Sequence, residues 1–90
     1  MNTYLITYNL EDYDRDYLHL SERIKHFPGW VKPFSRTWII KSNLSASRIR
    51  DILSRIIKEE GTLIVVEVTD SEWAGLNLRP TVVEWLKHNA

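Results

Sequence analysis

The stretch TYLITYNL, residues 3–10, decides the fold, because its side chains alternate with the period of two that marks a β-strand. Four apolar or aromatic side chains share one side of it: Tyr4, Ile6, Tyr8 and Leu10. β-Branched and aromatic residues favour strands. We therefore predict a first strand here, with Asn9 near its end and a run of acidic residues directly behind it.

Outward from this strand, apolar residues at helical spacing predict three helices. The first is capped by Asp14 or Asp16 and runs to about His26, the second runs from the N-cap Ser45 to Gly61, and the third is short and begins at Pro80. The second is the most regular, because its apolar residues form one continuous stripe: Ile49, Ile52, Leu53, Ile56 and Ile57.

The remaining β-rich segments predict three more strands. WVKPF and RTWIIK, within residues 30–42, are typical of a hairpin. Pro33 places the first of these two strands at an edge of the sheet, because proline has no backbone N–H to donate. TLIVVEV, residues 62–68, is apolar on both faces until Glu67, which is typical of a central strand.

The resulting order, β-α-β-β-α-β with a short C-terminal helix, predicts an α+β fold in a single domain over residues 1–90. We expect a ferredoxin-like sandwich, in which a four-stranded antiparallel sheet carries the two long helices on one face. Right-handed crossovers are expected to place the first and fourth strands side by side in the middle of the sheet. This fold hosts many unrelated functions, so the function has to come from a site.

Composition excludes several classes of protein. The 90 residues are 43% hydrophobic and include four tryptophans, as expected of a folded domain rather than a disordered segment. The sequence has no cysteine, which excludes disulfides, thiolate metal sites and thiol nucleophiles. No apolar run approaches the roughly 18 residues of a membrane-spanning helix, and we expect a cytoplasmic protein without membrane contact.

Charge is balanced overall but uneven along the chain. The formal net charge is zero, yet residues 30–60 carry seven lysines and arginines against three acids. Within this basic region the candidates for contacts with nucleic-acid phosphates are Arg36, Lys41, Arg48 and Arg55. The alternative is that they are solvated surface charges without a partner.

A family resemblance rests mainly on three pieces of the sequence: TYLITYNL, the join TWIIKSNLSASRIR at residues 37–50, and WAGL at residues 73–76. Through them the chain resembles, over nearly its whole length, the SinR-like group of small CRISPR-associated, Cas-two-like proteins. The resemblance implies a ferredoxin-fold homodimer, with nucleic acid or a second protein of a CRISPR or toxin–antitoxin type system as further candidate partners. In the nuclease branch it implies an acidic residue at the end of the first strand, which pairs with its two-fold mate to hold a divalent metal against a phosphodiester.

Asn9 stands at that acidic position. An amide in place of a carboxylate removes one negative ligand per protomer, and an amide is no general base. We interpret Asn9 as a degenerate catalytic position, with Asp12 or Asp14 as a candidate compensating ligand. The alternative is that the acidic run is a polar loop that favours the start of the first helix. The identity of any metal stays open; no cofactor is expected, and magnesium or manganese is needed only if the protein is a nuclease.

The aromatic and histidine residues divide by their positions. Trp38 and Trp85 fit the packing of helices on a sheet, whereas Trp30 and Trp73 lie beside predicted breaks and are candidates for an interface. The histidines lack the spacing of a zinc site and are predicted to be structural or on the surface: His19, His26 and His88.

Three functions from different classes follow. The favoured one is a homodimeric structural or adaptor protein with a degenerate nuclease site, which dimerises through an edge strand, Trp73 or the C-terminal region. The second is a metal-dependent endonuclease acting on RNA or DNA, and the third is a dimer that binds nucleic acid without chemistry. A toxin-like ribonuclease is a weaker analogy on the same fold.

Overall fold

In the computed structural model, strands and helices follow each other in the predicted order. The structure describes residues 1–10, 13–57 and 61–90, and it describes their side chains except for those of residues 13–16. The elements are β1 (Asn2–Asn9), α1 (Tyr13–Ile24), β2 (Gly29–Phe34), β3 (Thr37–Ser42), α2 (Ala46–Ser54), β4 (Thr62–Glu67) and α3 (Pro80–Asn89). The fold is α+β, as predicted.

The four strands form one antiparallel sheet in the order β2-β3-β1-β4. The hairpin of β2 and β3 and the edge position of β2 are confirmed, and the register of that hairpin shifts between Val31 and Phe34, around Pro33. The predicted centre of the sheet is wrong: β3 and β1 are central, and β4 is the second edge. A central position therefore does not explain why TLIVVEV is apolar on both faces.

Helices α1 and α2 cover one face of the sheet, here called the inner face. Alternate residues of the central strands, among them Ile6 and Ile40, point into this layer and are fully buried. They meet Leu20 and Ile24 from α1 and Ile49 from α2. The prediction of two helices on one face is consistent with this packing, in which the inner layer forms the main core.

Two tyrosines of β1 place polar groups in this core, and both hydroxyls are hydrogen-bonded. The Tyr4 hydroxyl donates to the Leu44 carbonyl over 2.7 Å, and Trp38 Nε1 donates to the Tyr8 hydroxyl over 2.9 Å. Trp38 is 1% exposed, so its predicted place in the core is confirmed.

The helix ends differ from the predictions. Asp14 and Asp16 lie inside α1 rather than at its cap, and α1 ends at Ile24, before His26. Ser45 caps α2 as predicted, since its hydroxyl accepts the Arg48 N–H over 3.2 Å.

The predicted C-terminal boundary of α2 is wrong, because the helix ends at Ser54 and not next to Gly61. The Ile56 N–H donates to the Leu53 carbonyl three residues back, over 3.0 Å, so the turn after the helix is tighter than an α-helical turn. The Ile57 N–H donates to the same carbonyl over 3.3 Å. Both isoleucines still pack against the core, so the apolar stripe continues beyond the helix that it was used to predict.

The third helix packs on the opposite face of the sheet, here called the outer face. Val82 and Leu86 of α3 are buried against Val31, with partly buried Trp85 beside them. Trp85 thus packs helix against sheet, as predicted, but in a second, smaller cluster. The sheet residues that α3 contacts belong to β2 and β3, so the helix covers only part of the outer face. Among the helices described, none has the length and apolar character needed to cross a membrane.

Candidate functional site

Asn9 is the last residue of β1, and its side chain is exposed. Its register partner in β4 is Thr62, and Thr7 pairs with Ile64 two residues away. These residues line a shallow open depression with Tyr8 and Leu63. The described polar side chains at this strand end are therefore the Asn9 amide and the hydroxyls of Thr7 and Thr62. No described residue contributes a carboxylate there.

This arrangement offers little to a metal ion. Among the described residues, no three histidines or carboxylates lie close enough together to hold a metal ion. No described residue forms a hydrogen bond with the Asn9 side chain. Asp12 lies outside the described residues, as does the side chain of Asp14. Hard divalent cations in proteins are held mainly by carboxylate oxygens, with amide carbonyl oxygens and waters completing the shell. The described side chains at this strand end supply only the neutral part of such a shell.

The turn between β2 and β3 is bonded to the same strand end. Arg36 has a left-handed backbone with φ of 63°. Its carbonyl accepts the Tyr8 N–H over 3.2 Å and the Thr7 hydroxyl over 3.0 Å. The Arg36 backbone therefore lies at the Asn9 end of the sheet, a neighbourhood that sequence spacing alone did not indicate.

The other three candidate phosphate ligands are spread over the molecule. Lys41 lies at the opposite end of the sheet, where its Nζ donates to Thr3 Oγ1 over 2.8 Å and to the Asn89 carbonyl over 2.6 Å. Arg48 and Arg55 are exposed at the two ends of α2. Arg36, Lys41, Arg48 and Arg55 thus form no single stripe, and their role as phosphate contacts stays a prediction.

A patch of exposed apolar side chains occupies the part of the outer face that α3 leaves open. In β4, Leu63 and Val65 pack inward, whereas Ile64 and Val66 point outward and are 55% and 41% exposed. Leu5 of β1, next to Val66 in the register, belongs to the same face. The residues here called the outer-face patch are the half-buried Leu5 and the exposed Phe34, Ile64, Val66, Trp73 and Leu76.

The chain between β4 and α3 borders this patch and forms a groove of about 340 Å³ with Leu5, Phe34 and Ile39. Its close packing depends on Gly75, because a Cβ atom there would lie 2.2 Å from Leu78 Cδ1. Leu78 in turn packs in the cluster beneath α3. Sequence reasoning found Trp73 but not the groove, since the segment has no regular period that would place it on a face.

The two tryptophans predicted for an interface lie on opposite faces. Trp73 belongs to the outer-face patch and is 39% exposed. Trp30, 38% exposed, lies on the inner side at the β2 edge, where its ring meets the Trp38 ring at a centroid distance of 5.5 Å. Both are accessible to a partner, and their interface role stays a prediction.

The histidines are scattered. His19 and His26 are exposed, and His88 pairs with Glu84 on the surface of α3.

Comparisons with known proteins leave the family open. No protein-family model matches the sequence, and no curated protein matches it either.

Proposed function

We propose that this protein is a small ferredoxin-like homodimer of the SinR-like, Cas-two-like type, whose role is structural contact rather than catalysis. The sheet order β2-β3-β1-β4 with two helices on the inner face is compatible with the ferredoxin-like fold. The observation that carries the proposal is the outer-face patch, because exposed contiguous apolar surface on a small domain marks a contact site.

A second copy of the same chain is the partner that fits this patch best. A two-fold dimer requires a surface that is complementary to itself. All six side chains of the outer-face patch are apolar, so two copies of the patch can bury apolar surface against each other. The neighbouring strand β4 is at the edge of the sheet formed by the described strands, and a sheet edge is another surface that a dimer can cover.

Asn9 supports a structural role over a catalytic one. The strand end carries an exposed amide where the nuclease branch of the resembled family has an acid. In the proposed dimer the protein holds a second component, nucleic acid or another protein, and performs no metal-dependent cleavage. Its expected place of action is the cytoplasm.

The test is a pair of substitutions to lysine on opposite faces. Ile64 is 55% exposed on the outer face, and Leu18 is 64% exposed on α1. We expect Ile64→Lys to shift the protein from dimer to monomer in size-exclusion chromatography with light scattering, because two lysines would be desolvated in the interface. Leu18→Lys is the matched control and should stay dimeric. Equal behaviour of the two variants would overturn the proposed interface.

A further inference from the structure

A second recess lies at the β2 edge of the sheet and shares no lining residue with the Asn9 depression or the outer-face patch. It has a volume of about 410 Å³ and is formed by α1, β2, β3 and the start of α3. We call this recess the β2-edge pocket. Its charged residues and most of its aromatic residues are Tyr17, Lys25, Trp30, Lys32, Arg79 and Trp85. Its volume lies at the lower end of the roughly 300–1,000 Å³ range of small-molecule sites.

The charge of this pocket is positive. Lys25 directly follows α1, Lys32 lies in β2 and Arg79 is the N-cap of α3. No Asp or Glu stands among the lining residues that the structure describes. The described ion pairs, Arg50–Asp51 and His88–Glu84, involve none of the three cations. Arg79 is held in place by donating from Nη2 to the Lys32 carbonyl over 2.7 Å. The pocket therefore favours an anion.

The two lysines contact aromatic ring faces. Lys25 Nζ lies 5.5 Å from the Trp30 ring centroid, and Lys32 Nζ lies 4.4 Å from that of Tyr17 and also donates to the Tyr17 hydroxyl. An ammonium group has three donors, so both lysines keep N–H groups for a further acceptor. A phosphate oxygen is such an acceptor, and hydrogen bonds between ionised groups are the strong ones.

The aromatic wall supplies a second kind of contact. Trp30 is 38% exposed and fixed on one side by its tilted contact with Trp38. Every nucleobase has a flat face that stacks on such a ring without regard to sequence. A base stacked on Trp30 would displace Lys25 from above the indole and leave its ammonium free for the attached phosphate.

From this combination we infer that the β2-edge pocket binds a nucleotide, with the phosphate held by Lys25, Lys32 and Arg79 and the base stacked on Trp30. Base-paired duplex hides its base faces, so the ligand is a free nucleotide or an unpaired nucleotide of a single strand. One protomer carries the whole pocket, so the inference is independent of the proposed dimer.

The test is a titration of ¹⁵N-labelled protein with adenosine monophosphate, adenosine, inorganic phosphate and a single-stranded oligoadenylate. We expect the Trp30 indole signal, assigned with Trp30→Phe, to shift saturably with the monophosphate. The monophosphate should bind more tightly than adenosine or phosphate alone. Tighter binding of the oligonucleotide assigns the site to single strands, and equal affinity per nucleotide assigns it to free nucleotides.

Two charge variants make the result specific to this pocket. Lys25→Gln should weaken monophosphate binding roughly three- to tenfold, the effect of losing one partly solvated ionic contact. Lys87→Gln, on an exposed position of α3 outside the pocket, should leave the affinity unchanged. Three results overturn the inference: no saturable shift at Trp30, phosphate binding as tightly as the monophosphate, or equal weakening by both variants.

Discussion

Leu5 and Val66 are register partners across β1 and β4, and both belong to the sheet face that α1 and α2 leave uncovered. Their neighbours Tyr4, Ile6 and Val65 belong to the inner layer. β4 is thus packed on one face and open on the other, although its sequence is apolar on both. In the proposed dimer, a second copy of the chain covers this apolar open face.

Val66→Thr tests this relationship without changing the shape of the side chain. Threonine keeps the β-branch but adds a hydroxyl, so the monomer should keep its free energy of unfolding within about 0.5 kcal/mol at this exposed site. The loss of apolar contact, about 1 kcal/mol per copy, counts twice in a two-fold dimer and should weaken dimerisation roughly 30-fold. Sedimentation velocity over a dilution series measures this change. Unaltered dimerisation would place Val66 outside the interface.

Tyr8→Phe should destabilise the fold through the buried hydrogen bond from Trp38. The indole N–H loses its acceptor in the core, and an unsatisfied buried donor costs about 1–3 kcal/mol. Urea unfolding measures the loss. A double-mutant cycle with Trp38→Phe is the control, because the cost of Tyr8→Phe should fall when the indole donor is already absent. Strictly additive effects would show that this bond contributes nothing.

Lys41→Met should loosen α3. The ammonium group joins the sheet residue Thr3 to the Asn89 carbonyl, one of the last carbonyls of α3, which lack partners within the helix. Methionine keeps the aliphatic stem and removes both bonds, for an expected loss of about 1–2 kcal/mol. Hydrogen exchange should accelerate in α3 more than in α2. Lys87→Met, exposed on α3, is the control; if both variants exchange alike, the Lys41 contacts do not fix the helix.

We expect Asn9→Asp to create a metal affinity and the unmodified protein to show none. In the proposed dimer the substitution restores one carboxylate per protomer at the strand end, and carboxylate oxygens are the ligands that magnesium and manganese require. Isothermal titration of either ion should then give binding only in the variant. Asp12→Ala is the control. Metal binding by the unmodified protein that disappears in Asp12→Ala would favour the nuclease alternative instead.

The sequence predicted the elements well because their causes are local. Alternation in TYLITYNL, the cap at Ser45 and the proline of β2 act within a few residues, and each has the predicted consequence in the structure. The edge position of β4 was not predictable in this way. A strand that is apolar on both faces occurs in the middle of a sheet and also at its edge, and only the long-range pairing of the strands distinguishes the two positions.

The candidate sites show the same division. Asn9 was correctly placed at the end of β1, because strand length is a local property. The outer-face groove and the β2-edge pocket bring together residues from distant segments, such as Lys32 and Arg79, so no spacing in the sequence indicates them.

The most direct test of the central claim is the molar mass of the unmodified protein in solution, measured by sedimentation equilibrium over a wide range of concentrations. The proposed homodimer predicts twice the chain mass of 10.7 kDa at high concentration, with dissociation on dilution. A mass of 10.7 kDa at every concentration would contradict it and leave the outer-face patch without its proposed partner.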